Sequence, residues 1–445
     1  MWRPSWSPDG KFLALVDRNT PQAPYSIFLL TVDTGEKRRL SSPPKEYDGD
    51  FAPKFSPNGR DLAFGRSSSS VSSDLYVVSL TNDGMARGEP RRLTFEGRVG
   101  GLDWTEDNRK LIFSWYQSHG SGINLWTIPV FGGTPERLAV AGENAANPSV
   151  SRAGSRLVYE GRAYDSNIWR IPGPNSTDRT VPTKFIASTQ WELEPQFSTD
   201  GKKIAFSSGR SGSGELWVCD PDGHNPVQLT TFGGPEAGSP RWSPDSRWIA
   251  FDNPSAGNLG IYVISADGGV PRRLTSETSN EARPSWSRDG QWIYFGSNRS
   301  GAWQIWKAPA HGGAAVQVTN NKGAQEAFES SDGKSVYYAK LDAPGIWKVP
   351  VEGGEEIQVL KDARWSLWAL PAEGIYFFEL NNPAGPPLKF YNFATSQTTV
   401  HREFSKETRV NGGDTALSVS PDGRWILYTQ LDQLGSDLML VENFQ

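Results

Sequence analysis

The chain has almost no cysteine. Cys219 is the only one in 445 residues, so no disulfide can form within it. A lone thiol fits a reducing compartment, yet periplasmic domains also manage without disulfides, and the compartment stays open between the two. No run approaches the roughly 18–20 apolar residues of a membrane-spanning helix, and Met1-Trp-Arg-Pro4 has none of the features of a signal peptide. Histidine is scarce: His119, His224, His311 and His401 are scattered in separate loops, none at metal-ligand spacing from another His or Cys. The formal charge of −5 is mild and no block of Lys and Arg stands out, so the electrostatic footprint of a nucleic-acid binder is missing. A helical protein is excluded by the 46 Gly and 32 Pro, which break element interiors. What is plentiful is aromatic area, with 18 Trp, 21 Phe and 13 Tyr to fill a core.

The aromatics fall into a repeated phrase. Trp6-Ser-Pro-Asp-Gly10 recurs as Phe55-Ser-Pro-Asn-Gly59, Trp104-Thr-Glu-Asp-Asn108, Phe197-Ser-Thr-Asp-Gly201 and Trp242-Ser-Pro-Asp-Ser246. It returns as Trp286-Ser-Arg-Asp-Gly290, Phe328-Glu-Ser-Ser-Asp-Gly333 and Val419-Ser-Pro-Asp-Gly423. Weaker copies stand at Val150-Ser-Arg-Ala-Gly154 and near Leu370-Pro-Ala-Glu-Gly374, ten in all. The spacing of roughly 40–50 residues is that of a propeller blade.

After each turn comes a short strand such as Leu62-Ala-Phe64 or Ile293-Tyr-Phe295, then a Ser/Gly/Asn loop. A second strand follows with an aliphatic–aromatic pair (Leu75-Tyr76, Leu216-Trp217, Ile305-Trp306), then a tight Gly turn and a last strand ending in Leu-Thr. Asp-Gly and Gly-Gly supply the positive φ of tight hairpins, and β-branched and aromatic runs between such turns are strands. Four-stranded units of this kind bury both faces only by stacking radially, which predicts an all-β protein, a β-propeller of ten four-stranded repeats.

The Ser-Pro-Asp-Gly-x-x-Ile-Ala-Phe pattern resembles that of TolB-like propellers, which the tricorn and prolyl-oligopeptidase propellers share, and the likeness covers nearly the whole chain. It departs from WD-type and kelch repeats. The order of elements, ending in Asp437-Leu-Met-Leu-Val-Glu-Asn-Phe444, is also similar to a bacterial group of sensor proteins. In that group such propellers follow a winged-helix DNA-binding domain or a protein kinase, often with a membrane helix between. The resemblance implies a bacterial chain truncated at its N-terminus, with about two blades missing upstream, and a protein partner. It implies a periplasmic or extracytoplasmic place if a membrane helix tethers it, and a cytoplasmic one otherwise.

Strand counting suggests two rings. The tenth copy ends at Val441 with three strands, and a detached strand, 185–188, precedes the fifth copy after the linker-like stretch 172–183. Because an unpaired sheet edge is a liability, 185–188 is expected to pair with the final strand. It would close a six-bladed propeller over 184–445, leaving a partial four-repeat propeller over 1–183. The alternative is a single ten-bladed ring with a three-stranded seam.

Motifs for chemistry fail one by one. Gly209-Arg-Ser-Gly-Ser213 misses the Gly-x-Ser-x-Gly elbow at its fifth position and reads as a hairpin. Gly333-Lys-Ser335 has the end of a phosphate-binding loop, but Phe328 stands in place of the first Gly. Asp220-Pro-Asp-Gly223 starts like a calcium loop without the downstream Glu. The chain therefore reads as a non-enzyme with no cofactor and no metal.

What remains is a face of loops. Before the leading proline of a repeat, an acid recurs at one offset (Asp50, Glu192, Glu281), and after the second strand an arginine recurs (Arg66, Arg210, Arg299). These are either solvated loop charges or a ring of alternating sign around the channel mouth that suits a peptide. Off-repeat tryptophans, Trp191, Trp303, Trp365 and Trp368, are further candidates, with Trp191 and Trp303 taken into the binding face. The expectation is a non-enzymatic interaction or sensor module with a protein or peptide partner, no nucleic-acid contact and no membrane span. The alternatives are a gating propeller of a prolyl-oligopeptidase-like peptidase whose catalytic domain lies elsewhere, and a propeller that binds a glycan or other small ligand.

Overall fold

The computed structural model describes residues 4–444 except 70–71, 96–98, 117–122, 143, 152–154, 179, 234–235, 255–257, 276–278, 322, 342, 381 and 411–415. His119 and the end of the weak copy at 150–154 lie outside the described residues. Among the described residues, apart from one 3-10 turn, Ala139–Ala141, the regular structure is antiparallel strand.

Each word of the repeated phrase has a physical job. Ser243 Oγ donates to Asp245 Oδ1 (2.5 Å) and accepts from Trp248 N (2.9 Å), while Arg247 N donates to the same carboxylate (3.1 Å). The hydroxyl-to-side-chain bond recurs at Ser7–Asp9, Ser56–Asn58, Thr105–Asp107, Ser198–Asp200, Ser287–Asp289, Ser330–Asp332 and Ser420–Asp422. The donated hydroxyl, above all, holds each of these aspartates below the usual carboxylate range.

The glycine takes positive φ and packs towards the proline of the preceding repeat, closely at Gly59 and at ordinary contact distance at Gly290. A Cβ on Gly59 would stand 3.3 Å from Pro8, one on Gly290 3.7 Å from Pro244. The tryptophan staples neighbours. Trp104, Trp242 and Trp286 each donate the indole N–H to a carbonyl of the preceding repeat, Lys54 O (3.0 Å), Gln196 O (3.1 Å) and Arg241 O (3.1 Å).

The chain forms two compact units: Met1–Ala163 with Leu434–Gln445, and Tyr164–Gln433. The first unit holds three four-stranded sheets, which begin with Ser5–Trp6, Gly49–Phe55 and Val99–Trp104. Its fourth sheet has three strands: Ala145–Val150, the start of the long strand Leu157–Pro172, and the end of the long strand Trp425–Val441. Core clusters run from first sheet to second, second to third and third to fourth; among the described residues none joins the first to the fourth.

The second unit is a ring of six sheets, with first strands Glu192–Phe197, Gly238–Trp242, Glu281–Trp286, Ala324–Glu329, Trp368–Ala369 and Leu417–Val419. It closes on itself. Phe197 N donates to Ser418 Oγ (3.2 Å), and a core of Ile168, Ile186, Ile204, Phe206, Cys219 and Leu427 joins the sixth sheet to the first.

The closure differs from the one expected. Thr183–Ile186 pairs with Leu157–Pro172, Ile186 opposite Ile168, and not with the final strand, which lies on the other side of that long strand. The sixth sheet is thus two strands from the chain's end and two from its middle. Gly161 and Gly435 stay out of the positive-φ region of a tight turn, and Leu157–Pro172 and Trp425–Val441 each run on as one continuous strand. The units accordingly divide inside the two long strands, at 163/164 and 433/434, rather than at 183/184.

Candidate functional site

In the second unit the first strands of neighbouring sheets adjoin and line the channel. Three of the six are kinked in the middle. Glu194, Ser239 and Arg283 have φ of 57°, 53° and 54°, and each is followed by a proline and sits at a register shift. Ala52 and Asn147 repeat the arrangement in the first unit. A residue before proline normally stays extended. Here a β-bulge holds it left-handed and re-aims the side chains.

One end of the strands carries the acid–arginine candidates. Arg66 grips Asp50 with two bonds (2.5 and 2.9 Å), Arg210 reaches Glu192 (3.0 Å) and Arg299 reaches Glu281 (2.8 Å). The three acids are at most 1 % exposed. Burial pushes their carboxyls up, against the pull of the paired guanidinium. Each arginine also lies over two aromatics of its own sheet, as Arg299 does over Phe295 (5.5 Å) and Trp306 (4.9 Å). The six charges are therefore brought together in pairs, sheet by sheet. Trp191 is buried against Gly209, and Trp303 is half-buried. Of these eight candidates, none lines the cavity described below.

Midway along the strands runs a layer of charges that no motif announced. Arg241 Nη2 stands 3.7 Å from Glu326 Oε1, and Glu326 Oε2 accepts from Ser366 N (2.8 Å) and Trp368 Nε1 (2.7 Å). Arg283 donates to Gln325 and stacks on Trp365 (4.5 Å), while Glu194 accepts from Ser207 Oγ (2.7 Å) and Ser239 N (2.6 Å). Burial pushes Glu326 up and Arg241 down, each opposed by the other. The only sequence signal for this layer is the charge flanking the mid-strand proline: Glu194-Pro195, Pro240-Arg241 and Arg283-Pro284.

The opposite end, where the Ser-x-Asp turns lie, opens into a cavity of about 870 Å³. All six sheets contribute, through Gln196, Arg241, Ser285, Phe328, Trp368 and Leu417 among others. Arg288, Glu329, Glu373 and His401 add polar groups to the wall. His401 lies in the strand Gln397–Arg402, not in a loop. Its Nε2 is 3.1 Å from Pro172 O, and burial lowers its pKa. Among the described residues no three of His, Cys, Asp and Glu stand together as a metal site. Asp220-Pro-Asp-Gly223 is a turn, Gly223 N donating to Asp220 O (2.9 Å) with Lys203 paired to the Asp220 carboxylate (2.7 Å).

A family profile described as the TolB beta propeller domain matches residues 1–234 and again 175–365. The chain is 22% identical over 233 residues to the Tol-Pal system protein TolB of Francisella tularensis subsp. mediasiatica, a match covering 51% of this chain and 50% of that one. It is 35% identical over 187 residues to dipeptidyl-peptidase 5 of Porphyromonas gingivalis, covering 40% of this chain and 26% of the relative. The chain thus spans half the length of the first relative and about a quarter of the second. Among solved structures, the putative TolB from Agrobacterium tumefaciens matches with a TM-score of 0.33 and 16% identity, over 78% of this chain and 94% of that one.

Proposed function

The chain belongs to the TolB beta propeller domain family, and on that footing we propose that it is a non-enzymatic interaction module whose second unit takes a segment of a partner protein into the cavity at the Ser-x-Asp end. The observation that carries this reading is the cavity wall. It joins aromatic faces (Trp242, Trp286, Phe328) to Arg288 and Glu329 on a scaffold of six first strands. Aromatic and arginine side chains in a rigid concavity are the usual anchors of protein recognition. A bacterial protein of sensor type, of which this propeller is the recognising part, is the finer form of the proposal; it rests on the resemblance in repeat order.

The test is selection of binders from a random peptide library, followed by titration on the chain's tryptophan fluorescence. Arg288→Ala and Glu373→Ala should each weaken the selected peptides by about tenfold, the effect of losing a hydrogen bond to a charged group. Failure to select any binder, or binders indifferent to both substitutions, would overturn the reading. Likeness to part of dipeptidyl-peptidase 5 favours a second reading, a propeller that gates substrates for a peptidase. Mass spectrometry of the selected peptides after incubation separates catalysis from binding: intact peptides are expected, and cleavage would remove the non-enzymatic reading.

A further inference from the structure

Among the described residues of the buried charge layer in the second unit, Arg241 alone lines the cavity; Glu194, Asp252, Arg283 and Glu326 do not. The acids of the layer are turned to the scaffold. Glu194 accepts from Ser239 N (2.6 Å), Asp252 from Arg283 N (2.7 Å) and Glu326 from Ser366 N (2.8 Å). Each of these amides belongs to a residue held left-handed, so each acid closes on a backbone donor of the next repeat. Trp368 Nε1 adds a second bond to the same oxygen of Glu326 (2.7 Å). The layer thus shows its negative charge to the protein and its positive charge to the cavity.

Arg241 is left with unused donors. It is 7 % exposed, and its guanidinium carries a fork of N–H groups. Among the described residues it makes one hydrogen bond, from Nη1 to Pro240 O (3.1 Å). Glu326 Oε1, 3.7 Å from Nη2, is beyond hydrogen-bond reach and has no hydrogen-bond partner of its own. The side chain is nevertheless fixed: it lies over the Phe328 ring (4.9 Å), and the Trp286 indole donates to Arg241 O (3.1 Å). Tyr376 repeats the pattern on the fifth sheet. It lines the same cavity and is 2 % exposed, packed on Phe390 (4.5 Å) and His401 (5.2 Å). Its hydroxyl has no hydrogen-bond partner among the described residues. Buried donors normally find an acceptor, and the buried acid of the wall cannot serve. Glu329 has both oxygens engaged, by Arg288 N (3.1 Å) and Tyr294 OH (2.7 Å).

We propose that Arg241 seats a carboxylate of the segment that enters the cavity, either its C-terminus or an Asp or Glu side chain, and that Tyr376 donates a hydrogen bond to the same segment. The assignment rests on the cavity being the partner's binding place, as proposed for the second unit. A guanidinium facing in, with the acids facing away, selects an anion over a cation. Its planar fork matches the two oxygens of a carboxylate, which takes up the donors that Glu326 does not reach. Glu373, the exposed acid of the rim, lies outside this seat and keeps its own contact with the segment.

The test titrates the full chain with library-selected peptides. Each is made as the free acid, as the C-terminal amide, and with every Asp or Glu changed singly to Asn or Gln. One of these changes should weaken binding by about tenfold or more, the effect of losing a charge-assisted hydrogen bond. Loss on amidation identifies the C-terminus as the source, and loss at one Asp or Glu identifies a side chain. In the variant that joins Arg241→Gln to Glu326→Gln, and so removes both buried charges together, the same change should cost less than about twofold. Tyr376→Phe removes only a hydroxyl without a partner, leaves the fold as it is, and should weaken the peptides by about fivefold. On the unaltered chain, acetate should shift the nitrogen-15 resonance of Arg241 Nε, and acetamide at equal ionic strength should not. Peptides that bind yet ignore every carboxylate change would overturn this inference and leave the cavity reading standing. A carboxylate effect undiminished in the double variant would overturn it too, by placing the group elsewhere in the cavity. If no peptide is selected, the cavity reading fails, and acetate decides the arginine by itself: a shift with acetate alone supports the seat, and no shift, or an equal one with acetamide, overturns it.

Discussion

The two ends of the channel in the second unit are built from the same repeated strands yet use their polar groups in opposite ways. At one end the recurring charges are withdrawn from solvent in pairs, Glu192 with Arg210 and Glu281 with Arg299. At the other end the recurring polar groups are absorbed by the Ser-x-Asp turns, and the cavity is left to side chains that occur once: Arg288, Glu329, Glu373 and His401. Recurring polar groups mark scaffold, the recurring aromatics Trp242, Trp286 and Phe328 furnish apolar wall, and the polar determinants of binding are sought where the repeats differ.

The sharpest way to break this comparison is to remove one arginine from each end. Arg299→Ala strands the buried Glu281 carboxyl and should cost about 3–5 kcal/mol in urea unfolding. Arg288→Ala, at an exposed position of the cavity rim, should stay within about 0.5 kcal/mol. Equal costs would mean that the two ends are not differently built. A smaller effect is expected from Trp286→Phe, which leaves Arg241 O without its indole donor at about 1–3 kcal/mol. Ser243→Ala, which removes the hydroxyl from one turn, should cost about 1 kcal/mol.

Acid distinguishes the ends by sign. The turn aspartates have folded pKa values below the unfolded 3.8, so their stabilisation is present above that value and is lost as pH falls through the lower, folded one. The clasp acids are shifted upward by burial, so their ionised form is disfavoured in the folded state, and protonation as pH falls relieves that cost. Urea midpoints measured across the acid range should therefore fall less steeply for Asp289→Asn with Asp422→Asn. They should fall more steeply for Glu281→Gln.

How much of this was legible depended on repetition. The all-β propeller architecture followed from a phrase written at near-constant spacing, and every residue of that phrase has a contact that recurs. The mid-strand bulge was hidden, because Glu194 and Arg283 before proline read as extended residues and are held left-handed only by the packed ring. The charge layer was hidden because Arg241 and Glu326 come from different repeats, 85 positions apart in the numbering, and meet only when the strands converge. The two long strands were hidden because nothing in the repeat grammar distinguishes Leu157–Pro172 or Trp425–Val441 from two strands joined by a loop. The cavity charges stood inside copies of the phrase, at Arg288, Glu329 and Glu373, and passed unremarked because none recurs at its position in the other repeats of the second unit.

Hydrogen–deuterium exchange of the whole chain, with and without a library-selected peptide, tests the central claim most directly. The account predicts protection at the Ser-x-Asp end, around Trp286–Arg288, Phe328–Glu329 and Leu417–Ser420, with the clasp end unchanged. Protection around Trp191–Glu192, Arg210 and Arg299, with the cavity unaffected, would contradict it and return the binding face to the recurring charges.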